Sequence, residues 1–96
     1  MKLVLIMYSG SDPQLVPELL ERNGTEGYTE VGRGHGAGAS GRRQGTRAWP
    51  GNAAVWFSIV PADHADALLT SLRAASAELA VGERLHAAVM PTDAFF

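Results

Sequence analysis

The chain has 96 residues, 46% hydrophobic and 19% charged, with a formal net charge of −2 and no cysteine. This length and composition fit one soluble globular domain and exclude a disordered tail, while the missing cysteines exclude disulfides, thiolate metal sites and cysteine nucleophiles. No apolar run approaches the roughly 20 residues that span a bilayer, so we expect a cytoplasmic protein.

The first two predicted elements are a buried strand and an amphipathic helix. The strand is the continuous apolar run KLVLIMY at 2–8. Ser11 or Asp12 suits the cap of the helix and Pro13 its first position, and Asn23-Gly24 is a stop signal. The stripe of this helix that is expected to face the core is Leu15, Val16, Leu19 and Leu20.

A second and a third strand are predicted to pair as a hairpin with an enlarged tip. Residues 27–33 (GYTEVGR) have a moderate strand pattern, and residues 53–60 (AAVWFSIV) are rich in β-branched and aromatic side chains. Between them, Pro50-Gly51 occupies the two central positions of a type II turn at 49–52. The chain is therefore expected to return through this turn into the third strand.

A second helix and a fourth strand complete the predicted order. Asp63 is expected to cap the helix, with Asp66 at the capping-box position, and Gly82 precedes the strand at 85–90. The buried stripe of the helix is Leu68, Leu69, Leu72, Ala75 and Leu79. The order β-α-β-β-α-β predicts an α+β, ferredoxin-like fold, in which two helices cover one face of a four-stranded antiparallel sheet.

The other face of this sheet is also predicted to be apolar. In the third strand, alternation places Val55, Phe57 and Ile59 on one face. Ala54, Trp56 and Val60 lie on the other. Because two helices cover only one face and large exposed apolar patches usually mark interfaces, we predict an oligomer in which sheets pack together.

The segment 32–52, GRGHGAGASGRRQGTRAWPGN, has a composition unlike the rest of the chain. It contains seven of the 11 glycines and four of the eight basic residues. No acid occurs from 31 to 62, so that window carries +4 and the remainder −6. Glycines let backbone N–H groups approach an anion and arginines supply forked donors, which predicts an anion-binding loop. The alternative is a flexible tip whose arginines serve solubility only.

Sequence motifs for particular phosphate folds fail in this segment. Gly36, Gly38 and Gly41 formally satisfy G-x-G-x-x-G, but the residues that follow cannot form the amphipathic helix that a dinucleotide fold requires. A P-loop fails for the same reason. Trp49 either stacks on a base or an arginine or anchors the return of the loop, and Trp56 is expected to pack in the core.

The histidines and acids give no catalytic or metal pattern. His64 is expected to be solvated and His86 half-buried, and their spacing is not that of a metal site. His35, in the glycine-rich tip, is the one candidate for a metal ligand. The helix-capping roles explain the aspartates, and Ser40 has no visible base, so we expect a protein without enzymatic activity.

Taken together, KLVLIM, YTEV followed by G-x-G, a long loop, and VPADHADALLTSLRAAS resemble the PII signal-transduction superfamily. The resemblance covers nearly the whole chain and implies a single PII-like domain over 1–96 with a mobile T-loop-like segment at about 33–52. It also implies a homotrimer with inward-facing sheets, ligand sites in the clefts between subunits, and a loop that changes conformation on binding. CutA-type trimers share this layout.

In the best-known PII proteins the cleft holds an adenine nucleotide. The resemblance matches Gly32 and Gly34 to the T-loop base and VGER at 81–84 to a reduced B-loop, with Arg84 in the place of a lysine. The family's C-terminal arginines and T-loop tyrosine have no counterpart, which implies a divergent member whose ligand need not be ATP. The candidate ligand-binding residues are Gly32, Gly34, His35, Arg42, Arg43, Thr46, Arg47, Trp49, Gly82 and Arg84.

The leading functional hypothesis is a trimeric sensor of a small anion or adenine nucleotide that regulates a partner, such as a membrane transporter or an enzyme, through loop conformation. No cofactor is identified. One alternative is a CutA-like metal-tolerance protein that binds metal through His35. Another is a single-stranded RNA-binding module, which is disfavoured because the third strand lacks the aromatic RNA-binding pattern and the trimer would bury the sheet.

Overall fold

The computed structural model describes residues 1–34, 36–38, 41–43 and 53–96, with side chains outside 33–52. The helices are α1 (Leu15–Arg22) and α2 (Ala62–Ser76), and the strands are β1 (Lys2–Ser9), β2 (Thr29–Gly34), β3 (Gly36–Gly38), β4 (Gly41–Arg43), β5 (Ala53–Val60) and β6 (Arg84–Pro91). The main sheet has the antiparallel order β2-β5-β1-β6. The predicted ferredoxin-like α+β fold is confirmed.

The predicted hairpin is formed by β2 and β5. Their pairing runs from Thr29↔Phe57 to Gly34↔Ala53, with an irregularity between Val31 and Gly34. The short pair β3 and β4 was not predicted, because runs of glycine carry no strand signal. The turn predicted at 49–52 lies outside the described residues.

The hydrophobic core lies between one sheet face and the two helices. Alternation along β1 directs Val4, Ile6 and Tyr8 toward the helices, and all three are buried. Leu20 of α1 and Leu68 of α2 are fully buried against them. Full burial of one such aliphatic side chain contributes about 1.5–3 kcal/mol to folding. The predicted helix stripes therefore do face the core.

Helix α1 begins later than predicted. Its first residue is Leu15, and the N-cap residue Gln14 makes no side-chain capping bond. Instead, the Asp12 carboxylate accepts a hydrogen bond from the Gln14 N–H at 2.9 Å, just before the helix. The helix ends at Arg22, and Gly24 follows with a φ of +73°, so the predicted stop is confirmed.

Helix α2 also begins without the predicted cap. Pro61 occupies the N-cap, and the Asp63 carboxylate accepts the N–H of its neighbour His64 at 3.0 Å. Asp63 lies in the first turn of the helix, where its negative charge still stabilises the helix dipole. The capping role assigned to Asp63 was therefore wrong, and the Asp63–Asp66 capping box is not formed.

The second sheet face is apolar, and neither α1 nor α2 covers it. Phe57 lies opposite Leu5 in β1, which in turn pairs with Ala88 of β6. The side chains of Met7, Phe57 and Met90 are 37%, 37% and 40% exposed. Trp56, on the helix side of β5, is 2% exposed, as predicted for a packing residue. Neither helix in the described part of the chain is long and apolar enough to cross a bilayer.

Candidate functional site

Four strand ends lie side by side at one end of the main sheet, which we call the loop-base end. Gly34 of β2 pairs with Ala53 of β5, Ala53 with Ser9 of β1, and Ser9 with Arg84 of β6. Adjacent strands are about 4.8 Å apart, so this row is about 14 Å long. The structure thus brings Gly34 and Arg84, both predicted site residues, to the same end of the sheet but to its two outer strands.

A clasp of two hydrogen bonds closes this end of the molecule. The N–H and the hydroxyl of Ser11, in the β1–α1 loop, each donate to Oε2 of Glu83 at 2.9 Å. Beside the clasp, the Asp12 N–H donates to the hydroxyl of Tyr8 at 3.1 Å. The clasp therefore ties the β1–α1 loop to the turn that carries Gly82 and leads into Arg84.

The clasp holds Glu83 as a carboxylate. The Ser11 N–H lowers the pKa of Glu83 most; burial raises it, and the Ser11 hydroxyl and the Tyr8 hydroxyl lower it further. The pKa of Tyr8 is raised, first by burial and then by the negative charges of Glu83 and Asp12. Since the carboxylate is the acceptor and the phenol stays protonated, the hydrogen bonds to Glu83 are charge-assisted.

Two glycines shape the backbone around the clasp. A Cβ atom on Gly10 would lie 2.8 Å from the Glu83 Cδ, which is closer than real Cβ contacts come. Gly82 has a φ of +88°, a left-handed conformation that other residues rarely adopt. Gly82 was among the predicted site residues, and the structure gives it this backbone role.

The hydroxyl of Ser9 lies in the middle of the loop-base row. Ser9 is 5% exposed, and its Oγ has no hydrogen-bond partner among the described residues. Most buried side-chain polar atoms do have one. Sequence reasoning did not find Ser9, Ser11 or Glu83, because small polar residues at a strand end and in a turn carry no periodic signal.

An open cleft of about 460 Å³ lies at the opposite end of the sheet, lined by Thr25, Tyr28, Phe57, His64 and Phe95 among others. The His64 Nε2 and the Thr25 Oγ1 are in hydrogen-bond contact at 2.9 Å. His64 is half-buried rather than solvated, so the expectation for it was wrong. His86 is exposed on the open sheet face opposite Met7, rather than half-buried as expected.

Comparison with solved structures places this fold among known proteins. CPII, a nitrogen regulatory PII-like protein from Thiomonas intermedia K12 bound to ADP, AMP and bicarbonate, matches with a TM-score of 0.71 and 22% identity over 93% of this chain and 84% of that one. Its apo form matches with a TM-score of 0.62 and 20% identity, over 93% of this chain and 87% of that one. The chain has the PII-like fold.

A second PII-like relative is a crystal structure assigned to a PII-like signaling protein of Thermus thermophilus. It matches with a TM-score of 0.56 and 28% identity, over 92% of this chain and 82% of that one. The PII-like resemblance predicted from the sequence is therefore confirmed by the fold. No protein-family model and no curated protein matches the sequence.

The PII-like fold fixes where part of the predicted site lies. Gly32 and Gly34 are in β2, Gly82 is in the turn before β6, and Arg84 begins β6. Arg42 and Arg43 lie in β4, where they pair with Ala37 and Gly36 of β3. The predicted residues that lie outside the described residues are His35, Thr46, Arg47 and Trp49. Within the described ranges, no cluster of three potential metal ligands is formed.

Proposed function

We propose that the protein is a divergent PII-like signalling protein that binds an adenine nucleotide or a similar small anion at the loop-base end. The observation that carries this proposal is the structural match, over most of both chains, to CPII bound to ADP, AMP and bicarbonate. The exposed Arg84 supports it, because a guanidinium at the edge of a glycine-flanked turn is a suitable partner for an oxyanion. The role is one of binding and signalling rather than catalysis.

The proposed site is completed by a second copy of the chain. Gly34 and Arg84 are about 14 Å apart within one copy, at the standard strand spacing, which is too far for one small anion to contact both. The apolar face formed by residues such as Leu5, Phe57 and Met90 requires a cover. A homotrimer whose sheets face inward would cover it and would bring different edges of neighbouring copies together into a cleft.

The proposed output is a change in the conformation of segment 33–52 that regulates a partner, a membrane transporter or an enzyme in the cytoplasm. This segment joins β2 to β5, and Gly34 pairs directly with Ala53. A ligand held at the loop-base end therefore acts on the two points where the segment begins and ends. The ligand shifts the segment only by its different affinity for the two conformations.

Isothermal titration calorimetry tests the proposal with ADP, AMP, ATP, adenosine and bicarbonate. Arg84→Ala is expected to weaken the binding of at least one anionic ligand about ten-fold, the loss expected for a hydrogen bond to a charged group. Arg73→Ala, which removes the same charge from the exposed last turn of α2, is the matched control and should bind as the wild type does.

The same titrations separate the alternatives. Divalent zinc and copper test the CutA-like hypothesis, and a short single-stranded RNA tests the RNA-binding hypothesis. A folded wild-type protein with no response to any nucleotide or to bicarbonate contradicts the proposed function. A response in which Arg73→Ala loses as much affinity as Arg84→Ala contradicts the placement of the anion at the loop-base end.

A further inference from the structure

The buried hydroxyl of Ser9 is the feature of this molecule that its own folding does not explain. Ser9 is 5% exposed, and its Oγ has no partner in the described part of the chain, although burying a hydroxyl without a hydrogen bond costs stability. Ser58, similarly buried one strand away, shows the ordinary arrangement, since its hydroxyl donates to the Gly27 carbonyl. A buried group that is left unpaired is a candidate for a ligand contact.

The position of Ser9 identifies the kind of ligand group. It is the residue of β1 that pairs with Ala53 on one side and with Arg84 on the other. Directly paired residues point to the same face of a sheet, so the Ser9 hydroxyl and the Arg84 side chain share one face of the loop-base end. The partner that this pair suits is an oxyanion, which accepts from the hydroxyl and is balanced by the guanidinium.

We propose that the hydroxyl of Ser9 is a ligand contact of the loop-base end and donates its hydrogen bond to an oxyanion oxygen, of a phosphate group or of bicarbonate. This rests on the proposed function, and it names one atom that reads the anion. Within the described residues the buried donor has no acceptor, and the ligand supplies one. The free-energy cost of the unpaired hydroxyl is therefore removed when the ligand binds.

This role gives Ser9 a signature that a structural serine does not have. Ser9→Ala removes an unpaired polar atom, so the free protein should be as stable as the wild type or more stable. The same change removes a ligand hydrogen bond and should weaken binding. Ser58→Ala is the matched control, because it breaks a formed hydrogen bond at a similarly buried serine on the helix face of β5.

The experiment measures thermal unfolding and calorimetric binding of ADP, AMP, bicarbonate and adenosine for wild type, Ser9→Ala and Ser58→Ala. We expect Ser9→Ala to keep or raise the melting temperature and to bind one class of anion about ten-fold more weakly, with adenosine binding unchanged. Ser58→Ala should melt earlier and bind as the wild type does. A loss for ADP and AMP assigns the contact to phosphate, and a loss for bicarbonate assigns it to bicarbonate.

Two outcomes overturn the inference. One is a Ser9→Ala protein that binds every anion with wild-type affinity. The other is a Ser9→Ala protein that melts earlier, as Ser58→Ala should, which would mean that its hydroxyl is paired within the fold. A wild-type protein that binds none of the probes rejects the proposed function itself, whereas unchanged binding in Ser9→Ala rejects only the role of Ser9.

Discussion

Ser11 and Glu83 are 72 residues apart in the sequence, yet two hydrogen bonds from Ser11 end on one carboxylate oxygen of Glu83. We expect Glu83→Gln to lower the free energy of unfolding by about 1 kcal/mol at neutral pH, because a neutral amide is a weaker acceptor than a carboxylate. Urea unfolding measures this. Glu78→Gln removes the same charge from an exposed residue before the turn and should have little effect.

The pH dependence of this difference has a definite sign. The folded chain holds the pKa of Glu83 below its ordinary value of 4.5. The carboxylate therefore contributes stability in full above that value, and the contribution is lost as the pH falls through the lower folded-state pKa. The wild type and Glu83→Gln should converge in stability on acidification from pH 4.5 downward. A difference that persists unchanged in acid contradicts an ionic clasp.

At this scale the sequence predicts side chains that follow a period and misses those that do not. Alternation along residues 53–60 correctly assigns Trp56 to the core and Phe57 to the open face. The pair Ser11–Glu83 and the unpaired Ser9 depend on which chain ends meet in space. No local pattern contains that information, so the clasp and the buried hydroxyl are visible in the structure alone.

The β1–α1 loop is the element that the clasp controls, and Gly10 is the residue that lets it close. Gly10→Ala places a Cβ 2.8 Å from the Glu83 Cδ, so we expect the loop to move and the free energy of unfolding to fall by about 1–3 kcal/mol. Gly27→Ala adds the same methyl group where no described atom lies within 4 Å and serves as the control. Equal stability of the two variants in urea would contradict close packing at Gly10.

The same loop explains why the elements are predicted better than their ends. The stripe that includes Val16 and Leu20 identifies α1 correctly, because periodic burial is a property of the local sequence. The sequence places the start too early because Ser11 suits a helix cap, whereas its side chain bonds to Glu83. A tertiary partner thus competes with the helix for the polar side chain, and sequence alone does not reveal the competitor.

For the whole molecule, the open sheet face decides how copies of the chain associate. Its centre is the apolar set around Leu5 and Phe57, which the alternating pattern predicts and which the structure places opposite the helices. At its β6 edge are two basic residues, Arg84 and His86. The residues that the described strands place on this face include no carboxylate, so no acidic side chain among them offsets a positive charge there.

His86 should therefore make the proposed assembly depend on pH. Its imidazole lies opposite Met7 on the open face, is exposed in one copy, and gains a positive charge on acidification from about pH 8 to about pH 5.5. Burying that charge at an apolar interface is unfavourable, so we expect weaker association at the lower pH in sedimentation velocity. His86→Gln keeps a polar side chain without a titrating proton and should associate equally at both values. If His86→Gln retains the wild-type pH dependence, His86 is not buried between copies, and the sheets do not meet along the β6 edge.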